Sequence, residues 1–146
     1  MTKKLRAYYA HSYITETHGA ASIVENILQR ELPEIEIVNP FFVGDKTERW
    51  LSDKGNLAVA KEIVRTDVEL MNGCDLIISY FPDIAGTIQL SGGIGTPMEI
   101  WYFRYTLNRP VYALTPFIHP WLMALEVKAS QDIFELCSQI RREMRL

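Results

Sequence analysis

The acidic side chains of Glu99 and Asp67 occupy the positions in this sequence that best suit covalent or proton-transfer chemistry. Glu99 ends the run Thr96-Pro97-Met98-Glu99, in which the threonine is a predicted N-cap and the proline suits the first helical position. The Glu99 carboxylate could serve the backbone N–H of Thr96, as in a capping box. It could instead be held ionised by the helix dipole and attack an anomeric carbon as a nucleophile. The spacing alone leaves both interpretations open.

The second carboxylate, Asp67, lies four residues after Ile63 and three before Leu70, so it borders the apolar side of a predicted helix. A solvated position at the edge of that side is the usual explanation. The alternative is that Asp67 faces the same crevice as Glu99. Two carboxylates that flank a sugar, one attacking it and one handling the leaving group, are the arrangement of retaining glycoside cleavage.

A glycine-rich segment, Ser91 to Thr96, stands between a buried apolar run and the helix that carries Glu99. Successive backbone N–H groups in such a turn can bind an anion. The segment lacks the lysine of a P-loop, and glycine-rich turns also occur without any ligand. Asp83, close to the end of the apolar run, could contact a ligand or could form a turn with Pro82. The segment is therefore a candidate ligand site that needs further support.

Strands and helices alternate along the predicted secondary structure. The predicted strands are Leu5–Ala10, Ile35–Val38, Leu76–Phe81 and Pro110–Leu114, with a weak fifth at Leu125–Val127. The predicted helices are Ala20–Leu32, Leu57–Met71, Pro97 to about Leu107, and a helix capped by Ser130 that runs through Arg142. The segments predicted to lack regular structure are His11–Gly19 and Phe41–Asp53.

This alternation is typical of βαβ units. We therefore expect one domain, residues 1–146, built on a flavodoxin-like open parallel sheet of four or five strands with helices on both faces. Ligands of such sheets bind at the carboxyl ends of the strands. Helical spacing predicts two core-facing sides, formed by Leu57, Ala60, Val64, Val68 and Met71 in one helix and by Ile133, Phe134, Cys137 and Ile140 in another.

The composition excludes several classes of protein. A net charge of -3 over 146 residues leaves no basic surface for nucleic acid. No stretch is long enough to span a membrane. The cysteines, Cys74 and Cys137, are too far apart in sequence for a metal or redox motif, so a reduced, cytoplasmic protein is expected. The three histidines are isolated and match no metal-binding pattern.

Three motifs occur in a characteristic order: Tyr8-Tyr9-Ala10-His11-Ser12, Asp67 ahead of Cys74-Asp75-Leu76-Ile77-Ile78, and Gly95-Thr96-Pro97-Met98-Glu99, followed by Arg109-Pro110-Val111-Tyr112. Over residues 5 to about 114 the chain resembles the nucleoside 2-deoxyribosyltransferase family. The resemblance implies that Glu99 is the nucleophile, that Asp67 binds or protonates the base, and that Tyr8 holds the glutamate. It also implies that no metal or redox cofactor is needed.

The segment before the glutamate motif departs from the transferases. Residues 89–93 contain no acid to contact the sugar hydroxyl, whereas the related 2'-deoxynucleoside 5'-monophosphate N-hydrolases have serine and glycine there. This difference favours a 5'-monophosphate substrate and water as the acceptor, although no arginine stands in the first-strand loop, where the hydrolases often have one. The chain from Thr115 onwards matches neither group. The candidate substrate contacts are Ser12, His11, Asp83, Ser91, Gly93, Gly95 and Thr96.

The resemblance implies an enzyme that cleaves the N-glycosidic bond of a 2'-deoxynucleoside or its 5'-monophosphate and transfers deoxyribose to another base or to water. The alternative is a non-catalytic nucleotide-binding module of the same fold. We also expect a homo-oligomer, a dimer or larger, because the related families assemble and because aromatic residues favour interfaces. The aromatic residues concerned are Trp50, Phe41, Phe42, Trp101, Phe117 and Trp121.

Overall fold

A computed structural model describes residues 3–17, 19–82, 95–116 and 119–146, and a five-stranded sheet lies at its centre. All strand pairs are parallel, and the strand order is β2-β1-β3-β4-β5. This is the order of flavodoxin-like folds, so the predicted fold class is confirmed. The strands are β1 (Leu5–Ala10), β2 (Ile35–Val38), β3 (Leu76–Tyr80), β4 (Val111–Leu114) and β5 (Lys128–Ser130).

Helices cover both faces of the sheet. They are α1 (Tyr13–Thr17), α2 (Ala20–Glu31), α3 (Lys46–Ser52), α4 (Leu57–Asn72), α5 (Gly95–Trp101), α6 (Pro120–Ala124) and α7 (Ile133–Glu143). A 3₁₀-helix spans Pro40–Phe42, and a π-helix over Tyr102–Leu107 continues α5.

Side chains of the central strands alternate between two hydrophobic cores. On one face, Tyr9 and Ile78 pack with residues of α2 and α7. On the other, Tyr8 and Ile77 pack with residues of α4, α5, the π-helix and α6. Because both faces are covered, the strands are apolar almost throughout, as is usual in parallel sheets. This alternation places the Tyr8 side chain on the face of the sheet that α4 and α5 cover.

Two segments predicted to be irregular contain short helices. The segment His11–Gly19 includes α1, whose first turn is capped by Ser12 because its Oγ accepts a hydrogen bond from Thr15 N at 3.3 Å. The segment Phe41–Asp53 includes part of the 3₁₀-helix and all of α3. Helices of five to seven residues have too few turns to show an apolar period, so the prediction was wrong for both.

The carboxyl-terminal elements also differ from the prediction. The fifth strand lies at Lys128–Ser130, not at Leu125–Val127. Ser130 pairs with Leu114 in the sheet, so it does not cap α7. Asp132 does so instead, since its Oδ1 accepts hydrogen bonds from the backbone N–H groups of residues 134 and 135.

Parts of the two predicted core-facing sides are exposed. In α4, Leu57 and Val64 are exposed, whereas Val59 is buried. In α7, Phe134 is exposed and Leu136 is buried. Spacing defines a helix face, but the neighbouring elements decide how much of that face is covered.

The helix that carries Glu99 begins two residues earlier than an N-cap at Thr96 would require. It starts at Gly95, and Thr96 is buried within its first turn. After Trp101 the backbone widens into the π-helix, which ends at Leu107 as predicted. Asn108 then takes a left-handed conformation with φ of 50°, as is common after a helix end.

Candidate functional site

Tyr8 and Glu99, which are 91 residues apart in the sequence, meet above the sheet. The hydroxyl of Tyr8, in β1, donates a hydrogen bond to Oε2 of Glu99, in α5. β1 has β2 on one side and β3 on the other, which makes its carboxyl end the point where the chain reverses direction across the sheet. Crevices at such points bind ligands in open α/β sheets.

The environment of Tyr8 keeps its hydroxyl a hydrogen-bond donor. Burial raises the pKa of Tyr8 far above its usual range, and the nearby carboxylates of Glu99 and Asp67 raise it further. The phenol therefore keeps its proton at any ordinary pH. Donation to one carboxylate oxygen fixes the orientation of Glu99 and stabilises its negative charge.

The second oxygen of Glu99 lies near the start of α5. A Cβ atom at Gly95 would be 3.9 Å from Oε1, which is ordinary van der Waals contact. The carboxylate therefore spans the space between the Tyr8 hydroxyl and the first helical turn, where backbone N–H groups lack partners within the helix.

Asp67 is half-buried on α4, beside Val68, which packs against the same core as Tyr8. Its charge contributes to the raised pKa of Tyr8, so the two side chains are within electrostatic reach of each other. The structure thus brings the three predicted catalytic residues, Glu99, Asp67 and Tyr8, into one region.

His11 and Ser12 follow β1 at the same edge of the sheet, but their polar atoms contact protein groups. His11 is buried, with Nδ1 3.0 Å from the carbonyl oxygen of Tyr9 and Nε2 2.5 Å from Oε2 of Glu16. Burial lowers the pKa of His11, although Glu16 acts in the opposite direction. With both ring nitrogens engaged, His11 is poorly placed to contact a ligand directly. Ser12 is half-buried at the start of α1.

The remaining candidate contacts are divided between described and undescribed residues. Asp83, Ser91 and Gly93 lie outside the described residues. Gly95 is exposed and Thr96 is buried, both in the first turn of α5. The predicted anion-binding turn before α5 therefore stays a prediction.

Ser79 is a polar residue of this region that the sequence analysis did not single out. It is fully buried in β3, and its Oγ has no hydrogen-bond partner among the described residues. It pairs with Ala10 on one side and Ala113 on the other. Strand alternation places Ser79 on the same face as Ile77 and Tyr8. The sequence feature that could have drawn attention to Ser79 is its polar side chain within the apolar run 76–81.

A cleft of about 610 Å³ lies between α5, α6 and the ends of β3 and β4. The ends of β3 and β4 contribute Phe81 and Thr115, and the α6 region contributes Trp121. Pro97, Met98 and Trp101 form the α5 wall. At helical spacing these three residues share a face that excludes Glu99. The surface is almost entirely apolar, and the α6 region contributes His119, Trp121, Leu122 and Leu125 to it.

The described residues contain no group of three or more His, Cys, Asp or Glu side chains suited to a metal ion. Cys74 and Cys137 are free and lie in the cores on opposite faces of the sheet. Burial raises the pKa of each thiol to about 11, so the reactive thiolate is scarce. No helix in the described part of the chain is both long and apolar enough to cross a membrane.

The fold is similar to the crystal structure of a conserved protein from Enterococcus faecalis V583. The TM-score is 0.71 and the sequence identity is 16%, over 99% of this chain and 100% of that one. At this identity the similarity shows the α/β fold alone. No family model matches the sequence, and no curated protein matches it.

Proposed function

We propose that this protein cleaves the N-glycosidic bond of a 2'-deoxynucleoside or its 5'-monophosphate, with Glu99 as the nucleophile. The observation that carries the proposal is the hydrogen bond from the Tyr8 hydroxyl to Glu99 Oε2. It links the end of β1 to the first turns of α5 at the edge where open sheets bind ligands. The resemblance of the surrounding motifs to the nucleoside 2-deoxyribosyltransferases adds the substrate class.

The reaction has two steps. In the first, a carboxylate oxygen of Glu99 bonds to C1' of the sugar as the bond from C1' to the base nitrogen breaks. Asp67 gives a proton to the departing base, which leaves a deoxyribosyl ester on Glu99. In the second step, water or another base attacks C1', Asp67 takes up the proton that this nucleophile loses, and Glu99 is released as a carboxylate. The Tyr8 hydrogen bond orients Glu99 in the first step and stabilises it as the leaving group in the second.

Mixing the protein with deoxynucleosides and deoxynucleotides and measuring free base by chromatography tests this function. Release of base supports the enzyme. Saturable binding without release would favour the alternative, a nucleotide-binding module of the same fold. A protein that neither binds these compounds nor releases base from them would contradict both the enzyme and the binding module.

A comparison of thymidine-type and purine substrates with and without the 5'-phosphate tests the substrate class. We expect at least about a tenfold preference in kcat/KM for the monophosphate, because the sequence of residues 89–93 contains serine and glycine and no acid. We expect water to be the acceptor. Preference for the unphosphorylated compound, or efficient exchange of one base for another, would favour a transferase.

We further propose that the apolar face of α5 and α6 is an interface between copies of this chain. The exposed apolar residues around the cleft are Met98, Trp101, Tyr105, Trp121 and Met123. The first three recur at helical spacing, so they present one continuous surface. Exposed apolar area of this kind usually marks an interaction site.

Light scattering should give a mass larger than one chain, and the double change Trp101→Glu with Trp121→Glu should reduce it to one chain. A buried pair of like charges would disfavour the interface strongly. The matched control is Phe42→Glu, since Phe42 is at least as exposed as either tryptophan but follows β2 at the opposite edge of the sheet. A native protein with the mass of one chain would contradict this proposal.

A further inference from the structure

The hydroxyl of Ser79 destabilises the packing around it. The Ser79 side chain is fully buried, and among the described residues its Oγ has no hydrogen-bond partner. A buried hydroxyl without a partner disfavours the state that contains it by about 5- to 150-fold in an equilibrium constant. Its neighbours in the adjoining strands, Ala10 and Ala113, are fully buried alanines. An alanine would therefore suit position 79 as well, so packing does not require the hydroxyl.

The first turns of α5 lie over the end of β3 that carries Ser79. α5 packs against β3, and it connects parallel strands, so it runs antiparallel to them. Thr96 and Ile100, one turn apart, are buried, so this side of α5 faces the sheet. Ser79 lies on the same sheet face as Tyr8, which bonds to Glu99 of α5. Water therefore reaches the Ser79 hydroxyl when the first turns of α5 move away from β3.

The π-helix that continues α5, Tyr102–Leu107, supplies a place at which this helix can bend. π-Helices are rare, and sharp bends in helices occur at them. The π-helix and the turn after it are tied to the end of α4. Tyr102 donates a hydrogen bond to Oδ1 of Asn72, and Arg109 donates to the carbonyl oxygens of Asn72 and Cys74. The π-helix can therefore stay in place while α5 tilts.

We propose that α5 alternates between a closed and an open position by bending at the π-helix. In the closed position Tyr8 bonds to Glu99 and the Ser79 hydroxyl is buried without a partner, whereas in the open position that hydroxyl is hydrated. Ser79 is thus a positioning residue that raises the population of the open position. The closed position orients Glu99, and the open one admits and releases ligand. This effect on ligand exchange rests on the proposed function, but the motion does not.

Ser79→Ala should lower the population of the open position by about 5- to 150-fold, because it removes the group that is unpaired in the closed position alone. Relaxation dispersion of the methyl groups of Ala10, Ala113 and Ile100 measures this population on the microsecond-to-millisecond timescale. We expect the native protein to show exchange at all three methyl groups with one common rate, and the variant to show little or none. Absence of exchange in the native protein, or an equal population in the variant, would overturn the proposal.

Ile78→Val is the matched control. Ile78 precedes Ser79 in β3 but is buried in the core on the other face of the sheet. Losing a methyl group there should lower the thermal stability and leave the exchange around α5 as in the native protein. If Ile78→Val removes the exchange as Ser79→Ala does, the exchange reports the fold as a whole and the proposal is wrong.

Stopped-flow binding of 2'-deoxynucleoside 5'-monophosphates to Glu99→Gln, with and without Ser79→Ala, tests the link to the site. We expect association and dissociation to slow by the same factor as the open population falls, with Kd unchanged, because both steps pass through the open position. Unchanged association with a weakened Kd would make Ser79 a ligand contact and would overturn its positioning role. A protein that binds none of these compounds would contradict the proposed function, and the relaxation measurement would still decide whether α5 moves.

Discussion

Replacing Glu99 with alanine is expected to lower the rate of base release by about four orders of magnitude or more, the scale seen when a catalytic nucleophile is removed. Among the described residues, no other side chain bonds to the Tyr8 hydroxyl. The alanine variant therefore has no second carboxylate that Tyr8 could hold in place. Steady-state release of base from the preferred substrate measures the effect. Ligand binding should be largely kept, because the variant removes the attacking atom and leaves the crevice open.

Glu99→Gln separates chemistry from structure. Its side-chain oxygen can still accept from Tyr8, so the buried phenol keeps a partner, whereas alanine leaves that hydroxyl unpaired at a cost of about 1–3 kcal/mol. We expect the Gln variant to be as inactive as the Ala variant but closer to the native protein in thermal stability. Near-native turnover in either variant would exclude Glu99 as the nucleophile. Loss of the fold in both would favour the capping-box interpretation.

Replacing Asp67 with asparagine is expected to slow base release by about 10²–10⁴-fold, the usual contribution of a general acid. The amide is nearly the same size as the carboxylate but cannot deliver a proton in the same way. We expect kcat to fall more than the affinity for substrate, and the pH–rate profile to change shape. Kinetics with substrates whose bases differ in basicity would show the largest loss for the base that most needs protonation.

The same helix offers a matched control in Glu69, two residues further along. Glu69 is exposed and pairs with Arg65, with both side chains more than 60% exposed, so Glu69→Gln should change the rate by less than about twofold. If Asp67→Asn behaved like this control, with the rate and pH profile of the native protein, Asp67 would be a solvated residue at the edge of α4.

The amino-acid sequence by itself determined the architecture. The strands β1 to β4 are short apolar runs bounded by polar turns, and α2 and α4 have helical apolar periods, so their alternation implied a parallel sheet with helices on both faces. The helix start before Glu99 was also visible, to within two residues, from the threonine and proline ahead of it. These signals are local, because backbone propensity and periodicity act over one or two turns.

Only the tertiary structure decided which side chains meet. Strand alternation and the packing of α5 bring Tyr8 to Glu99 across 91 residues, and no local pattern encodes that distance. The same holds for Ser79, whose hydroxyl is buried because Ala10 and Ala113 flank it in neighbouring strands. Burial and long-range contact depend on elements distant in the chain, so they emerge only when the sheet is assembled.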